Sequence, residues 1–269
     1  IMKKILYLTF YFEPDLCAGS FRNSPLAKEL AQQADGKATI DVVTTLPNRY
    51  STFHTSAPAY EERGNLTIHR IIIPKHKSGF ADQIKSFQQY YKEAKKLIKG
   101  KKYDLVFASS SRLFTAYLGY KIARKQGIPL YLDIRDIFTD TMKDVLKNKF
   151  IKSGVLPVLN TIESNVFNYA SHINLISAGF SPYFEKYKRT HYTSYSNGID
   201  PEFLNFPKSS PTAKAQRIIT YAGNIGEGQG LHKIIPKAAK MVGNEYKFLI
   251  IGDGGAKQKL IDGLNQEGV

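Results

Sequence analysis

The residues of this sequence whose types could do chemistry fall into short stretches of glycine and charged side chains. They are Gly19-Ser20-x-Arg22, Asp133-x-Arg135-Asp136, residues 223–230 (GNIGEGQG) and residues 252–255 (GDGG). Glycine lets a backbone come close to a phosphate and turn its N–H groups toward it. Arginine binds oxyanions through a planar fork of donors, and a carboxylate can position or polarise an acceptor group. Together these residue types indicate a site for a phosphorylated ligand and an acceptor.

Each stretch follows a predicted strand, so the strands decide where the stretches lie. We predict strands at Ile5–Phe12, Thr39–Thr45, Leu66–Ile73, Tyr103–Ser109, Leu130–Ile134, His172–Ser177, Tyr192–Tyr195, Arg217–Ala222 and Lys247–Ile251. Strands that alternate with helices predict parallel sheets with right-handed crossovers. Because ligands bind beyond the carboxyl ends of such strands, the four stretches are expected to converge on one crevice.

The predicted helices each carry apolar residues on one face. They span Ser20–Ala34, Phe80–Lys99, Leu113–Lys125, Met142–Asn148, Phe150–Tyr169, Ser181–Tyr187, Leu231–Met241 and Ala256–Gln266. Pro157 is expected to divide or kink the longest of them. The polar segment 48–65 reads as a long loop near the mouth of the sheet.

A proline-containing stretch of little periodicity, residues 201–216, predicts a linker. The chain is therefore predicted to hold an α/β, Rossmann-like parallel-sheet domain at residues 1–200 and a partial, second Rossmann-like domain at residues 201–269. The second part has too few elements for a complete doubly wound sheet and would bury only a modest core.

Composition narrows the class of protein. No apolar run is long enough to span a bilayer, and no signal peptide is expected, because Lys3 and Lys4 lead into a strand without a cleavage site. A single cysteine, Cys17, cannot form an internal disulfide, which fits a reducing cytoplasm. GxGxxG, HExxH, CxxC and GxSxG motifs are absent, and the six histidines lack metal-ligand spacing. The sequence therefore gives no support for a nicotinamide-dependent oxidoreductase, and we expect no bound metal.

The net charge is +15, and the excess of basic over acidic residues is unevenly distributed along the sequence. Between Lys75 and Lys102 nine lysines stand against only Asp82 and Glu93. A helix packed on the sheet with a solvated basic face is the favoured interpretation, because Phe80, Ile84, Phe87, Tyr91, Ala94 and Ile98 form one apolar stripe. The functional hypothesis is that the lysines of this stretch, with Lys143, Lys147, Lys149 and Lys152, dock on an anionic membrane surface. A nucleic-acid-binding module is motivated by charge alone.

The motifs also have plain structural interpretations. The stretch 223–230 is a moderately specific anion loop, yet Gln229-Gly230 stand where a Walker A motif needs Lys-Ser/Thr, and a flexible turn is the alternative. The Asp133–Asp136 cluster can equally be an Asp–Arg ion pair and a helix N-cap. Alternation sends Asp133 and Arg135 to one side of the strand and Asp136 to the other.

Taken in order, the motifs resemble those of the retaining glycosyltransferases of family 4, which have the GT-B fold of two Rossmann-like domains. The resemblance covers nearly the whole chain. It rests on the four stretches above and on Phe12-x-Pro14, Ser196-Asn197-Gly198-Ile199-Asp200 and Tyr221-Ala222-Gly223-Asn224-Ile225-Gly226. Among family members, the sequence is most similar to bacterial enzymes that build O-antigen or capsular polysaccharide.

The resemblance implies an enzyme that moves a hexosyl or N-acetylhexosaminyl group, with retention, from a nucleotide-sugar to a lipid-linked or other saccharide acceptor. It implies a cytoplasmic protein, peripheral on the cytoplasmic face of the inner membrane. The nucleotide-sugar is a substrate, and neither a cofactor nor a metal is needed. A sugar-nucleotide epimerase of the same GT-B architecture and a non-enzymatic nucleic-acid-binding module are the alternatives.

The resemblance also assigns roles to residues. The first domain would bind the acceptor, with Gly19 and Ser20 near the diphosphate and sugar, Arg22 and Arg135 at a phosphate or the acceptor, and Asp136 or Asp133 positioning the acceptor. The second domain would bind the donor through Gly223, Asn224, Gly226, Gln229, Gly252, Asp253 and Gly254.

Two departures from the family pattern matter. Many relatives carry an Arg and a Lys-Gly pair where this chain has Asn224 and Gln229-Gly230, which leaves Lys233 as a candidate cation. The family's later donor motif, two glutamates seven residues apart, would lie beyond Val269. We therefore predict that this stretch alone transfers sugar poorly or not at all.

Overall fold

A computed structural model of the chain describes residues 2–48, 55–74, 80–110, 113–146, 149–199, 201–205 and 217–269. The chain divides into two compact units, Ile1–Ile199 and Asp200–Val269. Most of the predicted linker (residues 206–216), part of the predicted loop (residues 49–54) and Lys147 and Asn148 at the end of a predicted helix lie outside the described residues.

The first unit is built on an eight-stranded sheet. Its strands are β1 (Lys3–Leu8), β2 (Ala38–Thr45), β3 (Tyr60–Arg63), β4 (Leu66–Ile71), β5 (Leu105–Ser110), β6 (Leu130–Ile134), β7 (His172–Leu175) and β8 (His191–Ser194). Its α-helices are α1 (Ala18–Gln33), α2 (Phe80–Leu97), α3 (Leu113–Gln126), α4 (Phe138–Val145), α5 (Lys149–Tyr169) and α6 (Ser181–Phe184). In the part of the chain that is described, no helix is both long enough and apolar enough to traverse a bilayer.

The strand order is β3-β4-β2-β1-β5-β6-β7-β8, and every neighbouring pair is parallel except β3–β4. From β1 the chain crosses to β2 on one side of it and later returns to β5 on the other. Such a reversal is the topological switch point at which open α/β sheets bind ligands. The predicted α/β class with a mostly parallel sheet is confirmed.

Several predicted boundaries were wrong. Tyr60–Arg63 is an antiparallel edge strand rather than loop, because it pairs with β4 although its side chains are mostly polar and exposed. The first strand ends at Leu8 instead of Phe12, since Phe12 is buried in the core under α1 without joining the sheet. The apolar run is longer than the strand because residues after Leu8 are apolar for burial in the core and not for pairing in the sheet.

Helix boundaries shift in the same way. The first helix begins at Ala18, two residues before the predicted start, so Gly19 and Ser20 lie in its first turn. The helix predicted from Met142 begins at Phe138. Pro157 does not divide its helix, because α5 continues from Lys149 to Tyr169.

Helix α2 lies on the sheet through its apolar stripe. Ala94 and Ile98 are buried, and Phe87 and Tyr91 pack against the same core. Tyr90, which the stripe did not include, is fully buried and donates its hydroxyl to the Val43 carbonyl at 2.8 Å. The packed-helix interpretation is the one this structure shows, although Ile84 of the stripe is 40% exposed beside the lysine face.

A row of aromatic rings crosses the opposite face of the sheet, on the side of α1. Tyr7, Phe107, Tyr131 and His172 occupy directly paired positions on β1, β5, β6 and β7. Their ring centroids are 4.4, 5.1 and 4.5 Å apart in that order, and each pair is stacked. This ring row fixes the register of the four strands just below the site.

The second unit contains two parallel strands, β9 (Arg217–Ala222) and β10 (Tyr246–Ile251), with α7 (Leu231–Val242) and α8 (Lys257–Glu267). Its small core centres on Ile225, Leu231 and Leu260. On the other face of the strand pair, Ile218, Leu249 and Ile251 are 41–55% exposed.

Candidate functional site

A row of polar side chains lies next to the ring row, toward the carboxyl ends of the strands. Ser109 on β5, Asp133 on β6 and Asn174 on β7 occupy directly paired positions. Each lies two residues beyond a member of the ring row, so all three share the face that carries α1. Ser109 Oγ donates to Asp133 at 2.8 Å, and Asn174 Nδ2 donates to it at 2.9 Å.

Arg22 reaches this polar row from α1. Its Nε and Nη2 donate to the two carboxylate oxygens of Asp133 at 2.8 and 2.7 Å. The side chains of Arg22 and Asp133 are only 8% and 1% exposed. The pair is thus a buried, bidentate ion pair, the arrangement that the guanidinium geometry favours.

The remaining donors of Arg22 go to the segment that follows β8. Nη1 donates to the Ser196 carbonyl at 2.9 Å and to Asn197 Oδ1 at 3.2 Å, and Nη2 donates to the Tyr195 carbonyl at 3.1 Å. These bonds and the two to Asp133 equal the five N–H groups that a guanidinium has. In this conformation all five N–H groups of Arg22 have acceptors within the first unit, and its role as a phosphate or acceptor ligand stays a prediction.

The carboxylate oxygens of Asp133 are likewise fully hydrogen-bonded within the first unit. Burial raises the pKa of its carboxyl, but the bonds and charge of Arg22, with the bonds from Asn174 and Ser109, outweigh that effect and the net pKa is lowered. The carboxylate is ionised, covered and surrounded by donors. The predicted alternative of an Asp–Arg pair describes this residue, although its hydrogen-bonded partner is Arg22 rather than Arg135.

Arg135 continues on the same face, just past the end of β6. A Cβ on Gly19 would lie 3.1 Å from its Nη1 and 3.4 Å from its Nη2, so the guanidinium rests against the first turn of α1. Nε of Arg135 is fully buried and has no hydrogen-bond partner. Burial lowers its pKa. The structure therefore brings Gly19 and Arg135 together.

Asp136 and Ser20 lie at the margins of this cluster. Asp136 is exposed and accepts a 3.3 Å bond from Thr141 Oγ1, and desolvation of its carboxyl raises the pKa. Ser20 is buried, and its hydroxyl lies 3.4 Å from that of Ser24. Of the two candidate acceptor-positioning carboxylates, Asp136 is the accessible one.

In the second unit, glycines let the loops after β9 and β10 touch through their backbones. The Gly223 N–H donates to the Ile251 carbonyl at 2.9 Å, and the Ile225 N–H donates to the Asp253 carbonyl at 2.8 Å. A Cβ on Gly252 would overlap the carbonyl oxygen of Gly223. Gly252 and Gly254 both have φ of +155°. Close backbone packing thus accounts for these glycines without any ligand.

The donor-loop side chains bond to one another. Gln229 Oε1 accepts from Asn224 Nδ2 at 3.1 Å and from the Gly226 N–H at 3.2 Å. The Glu227 carboxylate pairs with Lys259. Lys233 is exposed at the start of α7. The predicted donor residues thus form one cluster in the second unit.

Sequence reasoning missed the residues that fix the first cluster. Ser109 and Asn174 accompany Asp133, and Asn23 links the Tyr7 hydroxyl (2.7 Å) to the Gly19 carbonyl (2.7 Å). Ser109 and Asn174 could have been found from the sequence, because each of the neighbouring strands β5, β6 and β7 carries a polar residue near its carboxyl end. No group of three or more His, Cys, Asp and Glu side chains within the described ranges could hold a metal ion.

Comparison with known proteins gives one curated sequence relative. No protein-family model matches the chain. The sequence is 27% identical over 183 residues to WcaI of Escherichia coli (strain K12), which carries the provisional name colanic acid biosynthesis glycosyl transferase. The match covers 62% of this chain and 44% of WcaI, so the chain spans less than half the length of that relative.

Solved structures match over nearly all of the chain. Sucrose-phosphate synthase from Thermosynechococcus elongatus has a TM-score of 0.67 at 14% identity, covering 98% of this chain and 67% of that one. The Anabaena protein Alr3699/HepE in complex with UDP has a TM-score of 0.57 at 15% identity, covering 98% and 65%. These likenesses confirm the predicted fold class: the chain carries Rossmann-like units of the GT-B type.

Proposed function

We propose that this protein is a glycosyltransferase that moves a sugar from a nucleotide-sugar to an acceptor. The observation that carries the proposal is the sequence match to WcaI, whose name describes a glycosyl transferase, on a chain whose fold is GT-B. Polysaccharide synthesis and transfer with retention, as expected from the motifs, are part of the proposal.

The second unit is proposed to bind the donor. The loops at Gly223–Gly230 and Gly252–Gly255 follow β9 and β10, and the HepE structure of this fold contains UDP. Donor phosphates held by backbone N–H groups would be stabilised as negative charge develops on the leaving group. This route needs no metal.

The first unit is proposed to bind the acceptor, with Asp136 as the carboxylate that positions its hydroxyl. Exposure and a raised pKa support Asp136 over Asp133. The basic face of α2 is proposed to hold the protein on anionic lipid at the cytoplasmic face of the inner membrane, which suits a lipid-linked acceptor.

A ligand panel tests the function. Thermal stability of the chain is measured with UDP-, GDP-, dTDP- and CMP-linked sugars, and the nucleotide-sugar that raises Tm is then incubated with acceptor saccharides. Transfer of labelled sugar to an acceptor supports the proposal. Epimerised nucleotide-sugar formed without acceptor would favour the epimerase, and binding of oligonucleotides alone would favour the nucleic-acid module.

A further inference from the structure

Three phenylalanines from three different helices touch one another at one edge of the first unit. Phe87 of α2 and Phe114 of α3 have ring centroids 5.4 Å apart, and the ring of Phe114 lies 5.7 Å from that of Phe138 on α4. All three side chains are partly exposed, and together we call them the phenylalanine cluster. Because α3 and α4 begin at or next to Phe114 and Phe138 and follow β5 and β6, the cluster lies beyond the carboxyl ends of these strands.

The hydrophobic core does not require the phenylalanine cluster to be this exposed. Each helix is anchored by a neighbouring side chain that is almost fully buried, namely Tyr90 on α2, Leu113 on α3 and Met142 on α4. The three phenylalanines pack against this core from its margin and leave part of each ring in water. On α2 the apolar surface continues to the exposed Ile84, one turn before Phe87. Contiguous exposed apolar surface is typical of an interaction site.

The phenylalanine cluster is continuous with the carboxylate that we propose to position the acceptor. Asp136 precedes Phe138 by two residues, and it accepts the 3.3 Å hydrogen bond from Thr141 on the helix that Phe138 begins. Ile137, which stands between them, packs against the same core. A ligand with a hydroxyl at Asp136 therefore meets apolar surface beside that carboxylate.

Cations and tyrosines border the phenylalanine cluster. Lys95, Lys121 and Lys143 are exposed, one on each of the three helices. Tyr91 and Tyr117 lie one helical turn after the first two phenylalanines, with Lys95 Nζ 5.3 Å and Lys121 Nζ 5.9 Å from their ring centroids. Apolar surface bordered by lysine and tyrosine is typical of contact with an amphiphile at a lipid–water interface. The positive border also matches an anionic headgroup.

We propose that the phenylalanine cluster binds the hydrocarbon chain of an amphiphilic acceptor whose hydroxyl end lies at Asp136. The inference rests on the proposed function and deepens it, because it names the part of the acceptor that these residues recognise. A chain laid across the rings removes apolar surface of both from water, which is favourable in proportion to the area covered. Since this contact has no directional requirement, the length of the chain should govern affinity.

Calorimetry on the full chain tests the chain-length dependence. The probes are octyl phosphate and decyl phosphate below their micelle concentrations, with glycerol phosphate as the probe without a chain. In wild type the two additional methylenes should raise affinity by about five- to fifteenfold, since a fully buried methylene contributes up to about fourfold. Phe114→Ser and Phe138→Ser should each weaken decyl phosphate binding by about five- to twentyfold and reduce the gain from the longer chain.

Two kinds of control separate apolar contact from folding. Val158→Ser changes another exposed apolar residue of the first unit, on α5, and should bind both alkyl phosphates as wild type does. Phe114→Leu and Phe138→Leu keep an apolar side chain of similar volume and should retain most of the affinity. Affinity lost with serine and kept with leucine supports the subsite.

Three results would overturn the subsite. They are equal wild-type affinity for all three probes, an unchanged chain-length dependence in both serine variants, and a dimer in sedimentation that Phe114→Ser dissociates, because the cluster would then bind a second copy. Sugar transfer to soluble saccharides without chain-dependent binding would reject the subsite and leave the proposed function standing. Chain-dependent binding without transfer to any acceptor would reject the proposed function and leave the subsite standing.

Discussion

Arg22 and Asp133 lie 111 residues apart in the sequence, yet they form a two-point ion pair with N–O distances of 2.7 and 2.8 Å. The pair joins α1 to β6, and Arg22 extends it to the segment after β8 through Tyr195, Ser196 and Asn197. Three parts of the first unit meet at one guanidinium.

Truncating either partner should be costly. Arg22→Ala leaves the Asp133 carboxylate buried without its counter-charge, and we expect a loss of about 3–5 kcal/mol of unfolding free energy. Denaturant unfolding of Arg22→Ala, Asp133→Ala and the double variant measures the coupling free energy between the two side chains. Lys143→Ala, which removes an exposed pair with Asp140, should change stability by less than about 1 kcal/mol. If Arg22→Ala and Lys143→Ala lost the same amount of unfolding free energy, Arg22–Asp133 would not be a stabilising buried ion pair.

The pair should make stability depend on acid. Because the folded-state pKa of Asp133 is lowered, its contribution is fully present above the ordinary aspartate pKa near 3.9 and is lost as pH falls through the lower folded value. The difference in unfolding free energy between wild type and Asp133→Asn should therefore be constant from pH 7 to 5 and shrink below about pH 4. A gap that does not change with pH would show that ionisation of Asp133 contributes nothing.

Two glycines of the second unit should differ in their response to alanine. In Gly252→Ala the new Cβ meets the Gly223 carbonyl at a residue with φ of +155°, so the contact between the two loops must open. We expect a loss of at least about 1–3 kcal/mol and faster amide exchange at Gly223 and Ile225. Gly228→Ala meets nothing within 4 Å and should leave both measurements unchanged.

The lysines at the end of α2 and just beyond it should govern lipid binding if the membrane proposal holds. Lys92, Lys95, Lys96 and Lys99 are all exposed, and each cation near an anionic surface contributes about 1 kcal/mol at low salt. Replacing all four by glutamine should abolish flotation with anionic liposomes. A variant with Lys233, Lys237, Lys247 and Lys257 replaced instead carries the same charge and should still float. Flotation that is equal for both variants, or absent in wild type, would remove the proposal.

The sequence was informative where patterns are local. Apolar runs and helical spacing predicted the succession of strands and helices, because burial and periodicity are properties of neighbouring residues. Tyr60–Arg63 escaped prediction since an exposed edge strand needs only a partner, β4, and no apolar pattern.

Long-range relationships were beyond such patterns. Arg22 and Asp133 were both singled out, but their pairing follows from the strand order, which brings α1 close enough to β6. The position of Arg135 against the first turn of α1 could not be predicted either, because it depends on where α1 packs. In residues 223–230 the glycines predicted an anion loop or a flexible turn, and neither alternative included the bonds from Asn224 and Gly226 to Gln229.

The row of stacked rings on β1, β5, β6 and β7 also offers an optical view of the site. The chain contains no tryptophan, so Phe107→Trp would introduce a lone indole between Tyr7 and Tyr131. That fluorophore would sit two residues below Ser109, next to the polar row that holds Asp133. Its emission would report, without any label, whether an added nucleotide-sugar or acceptor shifts the strands that carry the polar row.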